Sequence, residues 1–453
     1  MRHLFSAKIS GSSNLKAVAI VVALVITACT RQTWHPWDVM AEVDQMSAGS
    51  LWPGFEPAQY PVVIYDGEAS YLFRHPAPPG EFTELPNPPG VWYFSGQHAT
   101  IRANASVDLA GVLTATYSVP AGRRVPVEEA ASVIIHELFH VYQSAAFPQW
   151  SPNEATAFTL PDDDLKIIGL RRLETLALRQ ALGSGNEAQT RCWAALSIEW
   201  RAERYRLVSD EVATYERQIE LKEGLADYLQ RAAWPESDPG LPEGGYPPEE
   251  GRRRGYGTGR STAQLLDRLD PDWKDRLSAN PGLTLDELLS AAAGGATGAC
   301  ELDVALKQQI VSRAIADVAG MDRRRNALIS EMAQRKGWTI NITTPLSNRL
   351  WAQGFDPLNI DRLPGGQLLH NRWLQLGHKG ASLEVLGRDC LSLPAGEHPL
   401  LDGIKELRIS GIGQKPVTAM LGDTLKVEAE GFSLWAVGAQ WNVEGQQLTI
   451  SLP

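Results

Sequence analysis

Apolar positions change their spacing twice along the chain. Between Tyr60 and Val119 they fall in short runs, Tyr60–Tyr65, Ser70–Phe73, Val91–Phe94 and Gly111–Val119, which predict strands. The last run alternates, with Leu113, Ala115, Tyr117 and Val119 on one face and Val112, Thr114, Thr116 and Ser118 on the other. From Ala130 the spacing becomes helical. Ala130–Tyr142 is apolar on nearly every side, as in a core helix that starts near Pro126. Helices are expected over Leu165–Leu182, Thr190–Tyr205 and Asp210–Leu229, with Gly183-Ser184-Gly185-Asn186 as a break. Pro235 to Gly259 is rich in proline and glycine and reads as a loop. Helices resume over Ser261–Leu269, Leu283–Ala293 and Leu302–Arg335. After Gly337 short strands return, among them Leu374–Leu376, Ser382–Val385, Leu407–Ile412, Leu425–Ala429, Leu434–Val437 and Leu448–Leu452. The expected fold class is α+β, with one domain over 60–336 and a β-rich, sandwich-like domain over 337–453.

The amino terminus has a different pattern. Arg2, Lys8 and Lys16 precede a twelve-residue apolar run, Ala17–Ala28, which has the length of a signal-peptide core and is too short to span a bilayer. The run ends Ile26-Thr27-Ala28-Cys29, which resembles the bacterial lipobox. That resemblance implies removal of residues 1–28 as a signal peptide and lipidation of Cys29. It implies an exported protein anchored to a bacterial membrane. Thr30 in place of Asp after the cysteine points to the outer membrane, facing the periplasm or the cell surface. Residues 29–59, with several Trp, Pro and Gly, read as an anchor-proximal segment.

Composition narrows the partners. The 453 residues are 43% hydrophobic and 21% charged, ordinary for globular domains with real cores. Loss of residues 1–28 removes three cations and no acid, so the formal charge moves from −11 to −14. An acidic exported chain lacks the basic face that nucleic acid requires, and Arg252-Arg253-Arg254 beside Glu249-Glu250 reads as a solvated loop. Cys192, Cys300 and Cys390 allow one disulfide and leave one thiol, with the pairing open.

The candidate chemistry lies in the core helix. His136-Glu137-Leu138-Phe139-His140 places two imidazoles four residues apart. Four helical residues turn about 400°, so both rings leave one face and can converge on one cation. Glu137 is displaced by about 100°, beside that cation, where a carboxylate can take a proton from water. A third ligand is available on the helix Glu220–Tyr228, where Glu223 and Asp227 stand four apart on one face. Glu223 can complete a His₂Glu set for Zn²⁺, and Asp227 can accept the outer N–H of a ligating imidazole. Glu216 and Glu220 are rival ligands, although neither is directly followed by glycine.

These two motifs resemble those of the gluzincins, the thermolysin-like zinc peptidases that pair HExxH with a later Asn-Glu-Gly-x-x-Asp. This chain has Lys222-Glu223-Gly224-Leu225-Ala226-Asp227, so Lys222 replaces the Asn. The 82 residues between His140 and Glu223 are about four times the spacing of the best-known members, so the resemblance covers two helices, with additional helices between them. It implies a zincin-like catalytic domain and a zinc metallopeptidase acting on peptide or protein substrates, with His136, His140 and Glu223 as metal ligands and Glu137 as catalytic base. Tyr256, expected in a Gly-flanked turn, is the candidate oxyanion donor. The strand 111–119 is placed like the gluzincin strand that forms the sheet edge along which substrate lies. The chain lacks a Gly-x-Met-Glu-Asn strand, which favours an endopeptidase. The alternative is a cell-surface binding or assembly lipoprotein with a structural or vestigial zinc site, against which Glu137 argues. His75 and His98 fall near turns from which they could approach the cleft, while His370, His378 and His398 are too scattered for a second metal site.

Overall fold

The computed structural model describes residues 34–120, 123–294, 300 and 302–453. The signal segment 1–28 and the lipidation position Cys29 lie outside the described residues. The architecture is α+β: strands first, a helical middle, then a long β region.

The first sheet has the order β3-β4-β2-β1-β6-β5. Its strands are β1 (Val62–Tyr65), β2 (Ala69–Phe73), β3 (Thr83–Glu84), β4 (Val91–Ser95), β5 (Ala105–Leu109) and β6 (Val112–Ser118). β1 and β6 run parallel and the remaining pairs antiparallel. β6 is therefore interior, and the edge belongs to β5, which the sequence pattern had not marked. The preceding helix α1 (Pro36–Met46) makes the segment before residue 60 part of this domain rather than a linker. Val39, Val43, Trp52 and Phe55 enter the main core, and Trp52 and Phe55 both meet Phe139 edge-on.

Helix α2 (Val127–Ala146) is buried through its middle because apolar residues, Ile134, Ile135, Leu138 and Phe139 among them, cover most of its circumference, while Ser132, His136, His140 and Gln143 make one narrow polar stripe. The helices α3 (Leu165–Gly183), α4 (Glu187–Tyr205) and α5 (Asp210–Ile219) start where Asp164, Asn186 and Ser209 accept first-turn N–H groups. α5 runs on through a π-helical turn, Glu220–Gly224, into α6 (Leu225–Ala233), so the expected single helix is continuous but locally widened. The presumed loop to Gly259 ends early. α7 (Gly251–Leu269) contains Gly255, Gly257 and Gly259: Gly255 and Gly259 lie against Ile219 and the π turn, and Gly257 lies against Tyr246. A Cβ at Gly224 would sit 2.6 Å from the Gly259 Cα. No side chain fits there. α8 (Trp273–Ala279), α9 (Leu285–Ala293) and α10 (Val304–Gln334) complete the helical half, and Cys192 of α4 is bonded to Cys300.

From β7 (Trp338–Thr343) the remaining strands form a seven-stranded and a six-stranded sheet. Ile340, Leu407 and Ile409 of the first sheet share one apolar core with Leu374, Leu383 and Leu425 of the second, which is a sandwich. Cys390 is the buried free thiol. Arg362 ties the sandwich to the helical half by donating to the carbonyls of Phe158 (2.8 Å) and Leu160 (2.5 Å).

Candidate metal centre

α2 brings the two imidazoles together, and the π turn supplies the carboxylate. His136 and His140 Nε2 lie 3.1 Å apart, and Glu223 Oε2 is 3.2 Å from His140 Nε2 and 3.6 Å from His136 Nε2. Ligand bonds of about 2.1 Å at tetrahedral angles separate donors by about 3.4 Å, so the three atoms form a triangle of the right size for one cation. Among the described residues this is the group of three that could hold a metal ion, and all three side chains are buried.

Second contacts fix the donors. Gln143 Nε2 donates to the carbonyls of Leu221 (3.0 Å) and Lys222 (3.1 Å), both in the π turn. Its Oε1 is thereby left to accept from His140 Nδ1 at 2.8 Å, which puts the proton on Nδ1 and frees the Nε2 lone pair. This is the role expected of Asp227. Asp227 instead pairs with Arg260 and with Arg231, one turn on along its own helix. His136 Nδ1 has no partner among the described residues. The available signal for Gln143 was its spacing, three residues after the second histidine and so on the same helix face.

The Arg252–Arg254 run is not a solvated loop. It opens α7, and helical spacing turns Arg252 and Arg254 inward while Arg253 stays out. Arg252 Nη2 donates to Glu223 Oε1 at 3.0 Å and to Glu154 Oε1 at 2.7 Å, and Nη1 donates to the Tyr256 hydroxyl at 2.6 Å. Arg252 thus holds one Glu223 oxygen and leaves the other for the histidines. Tyr256 lies in the helix rather than a turn, its ring nearly parallel to that of His136 at 6.2 Å.

The electrostatics follow from burial and these charges. Burial would raise the Glu223 carboxyl, but His140 and Arg252 hold it well below the usual range. Glu137 has no such cation pair, and burial pushes its carboxyl up against the pull of His136 and His140. Burial, reinforced by Glu223, keeps the Tyr256 phenol protonated far above its ordinary range.

The rival ligands are occupied elsewhere. Glu216 is paired with Arg171 and Arg204, and Glu220 takes a two-pronged contact from Arg201 at 2.6 Å. His75 contacts the Leu109 carbonyl and His98 contacts Thr100 and Glu81, away from the centre.

The triad opens onto a cleft of about 1090 Å³. One wall carries His136, Glu137, Lys222 and Tyr256, and the β5 edge contributes Ala105 and Ser106. The opposite wall comes from the sandwich, with Phe355, Leu358, Arg372 and Trp373. Comparison with known proteins adds nothing to this: no family model matches the chain, and no curated protein or solved structure matches it. No helix among the described residues is long and apolar enough to cross a membrane.

Proposed function

We propose that the protein is an exported zinc-dependent hydrolase, a gluzincin-type metallopeptidase. The observation that carries this reading is the donor triangle of His136, His140 and Glu223 opening onto a cleft that Glu137 also lines. A site meant only to hold the fold together closes its coordination with protein ligands. Two imidazoles and one carboxylate suit Zn²⁺, which when bound supplies Lewis acidity and acidifies water to a pKa of about 7. Glu137 takes the proton from the attacking water and delivers it to the leaving amine. Tyr256, kept protonated and lining the cleft, is the donor for the developing oxyanion. A peptide is favoured as substrate because the cleft is long, runs between two domains and has the free edge of β5 along one side, where an extended chain can pair. Cys29 places this activity at a membrane surface through its lipid, outside the cytoplasm.

The deciding experiment is Glu137→Gln. The variant is expected to keep about one zinc per chain while hydrolysis of a mixed peptide library drops by a factor on the order of 10² or more. Wild-type turnover in that variant would refute the mechanism, and a wild-type protein that purifies without zinc and cannot take it up would refute the metal assignment.

A further inference from the structure

Away from the cleft, a second polar cavity lies beneath the start of α7. Arg171, Arg172, Thr175, Tyr246 and Arg254 line it together with Ile168, Pro247 and Gly251, and its free volume is about 10 Å³, at the threshold for one water-sized occupant. The three arginines are 3–5% exposed. Each keeps buried N–H groups without a partner: Arg171 Nε, Arg172 Nε and Nη1, and Arg254 Nε. Unpartnered guanidinium donors in an interior are costly, and three around one cavity share a single remedy.

Charge points the same way. In the buried network around this cavity Arg171, Arg201, Arg204 and Arg254 face Glu174, Glu216 and Glu220, four cations against three anions. Arg172 is matched separately by Asp317. Arg171 carries the deficit, since its one partner in the network, Glu216, is 3.3 Å away. Burial, with Arg204 and Arg254 beside it, pulls its guanidinium down to about 10 despite Glu216 and the more weakly acting Asp162, whose own partners are Arg325 and Arg362. In addition, α7 begins here without a side-chain cap at Glu250, so its first-turn N–H groups and the positive end of its dipole face the same place.

We propose that this cavity is a binding site for one small monatomic anion of chloride's type. Water fits the lining less well. The Thr175 and Tyr246 hydroxyls could accept from a water, but the guanidinium and first-turn N–H groups only donate, and the excess of positive charge around the cavity favours an anion over a neutral occupant. A phosphate or carboxylate exceeds the space. The anion brings the network to neutrality and fastens the first turn of α7, on which Arg252 is carried to Glu223. The inference does not depend on the peptidase reading, because its readouts are binding and stability.

The test uses the full chain. Its melting temperature is measured in sodium chloride and in sodium gluconate at equal ionic strength, and crystals soaked in bromide are examined for anomalous scattering. Chloride is expected to raise the melting temperature saturably, by on the order of 2 °C, and bromide to give a peak between Arg171, Arg172 and Arg254. Arg172→Met is expected to lose the chloride-dependent part of the shift. Equal melting temperatures in the two salts together with no bromide peak in the cavity overturn the proposal. So does a chloride shift that survives in Arg172→Met. If that variant does not fold, the bromide map of the wild-type chain alone decides.

Discussion

The helical half and the sandwich build their interiors in opposite ways. The sandwich core is nearly all aliphatic, and its fully buried polar pair is His370 with Ser392 at 3.0 Å. The helical half buries Arg201, Arg204 and Arg254 around Glu174, with Arg201 also on Glu220. Apolar packing constrains volume, whereas a buried ion network constrains direction and register. The network touches Glu220 and Glu216 on either side of the junction into the π turn, and that turn carries Glu223. A site that must hold a carboxylate within a fraction of an ångström of two imidazoles belongs in the half with directional bonds. The sandwich needs only to present a wall.

The comparison is broken most severely by removing the centre of the network. Glu174→Leu strands three buried guanidinium groups and is expected to cost about 3–5 kcal/mol in denaturant unfolding, with zinc occupancy falling as well. A cavity in the sandwich should act differently. Leu425→Ala, at a fully buried position far from the cleft residues, is expected to cost about 2–4 kcal/mol while zinc affinity stays at its wild-type value. Equal losses of zinc in both variants would mean that the two halves are not energetically distinct.

Acid separates the halves next. Burial lowers His370 from 6.5 to about 3, so the unfolded chain binds the proton more readily than the folded one. Stability contributed by keeping it neutral is complete above pH 6.5 and is lost as pH falls towards 3, about 2 kcal/mol by pH 5. In the helical half, burial opposes ionisation of Glu216, but Arg204 and Arg171 win and lower it from 4.5 to about 2. Its contribution is present above pH 4.5 and lost between there and about 2. The sandwich should therefore soften first on acidification, and His370→Gln should remove the part of the pH dependence between 6.5 and 4.5. An unchanged pH–stability profile in that variant would count against the assignment.

The smallest expected effect sharpens the site. Gln143→Leu removes the acceptor for His140 Nδ1 and the donor to the π turn, and should lower zinc affinity about tenfold by titration against a chelator. Asp227→Ala, in contrast, should act through stability, because it removes the buried partner of Arg260 and leaves that cation only the Asp238 carboxylate at 3.4 Å. A larger zinc defect in Asp227→Ala than in Gln143→Leu would reverse the two roles.

The sequence by itself determined what is local. Periodicity located most of the strands and helices to within a few residues, and the four-residue spacing of His136 and His140 on an apolar helix sufficed to place both rings on one face. It also nominated Glu223, through a carboxylate followed by glycine, and the α+β class, through the return of short strands after Gly337. What it misjudged depends on partners far along the chain. Trp52 and Phe55 look like linker residues until Phe139 is beside them, and the β5 edge exists only once β6 has crossed to β1. The run Gly251–Gly259 reads as a loop because glycine disfavours an isolated helix, yet the tertiary structure requires glycine there to let α7 touch Gly224. Arg252 and Arg254 look solvated for a similar reason: a cation's burial is decided by where Glu223, Glu174 and Glu216 come to rest, and no spacing rule along the chain encodes that. Local backbone geometry fixes which side chains share a face. Only the packed fold fixes which charges share a partner, and the identity of the residues that hold the metal donors in place follows from that.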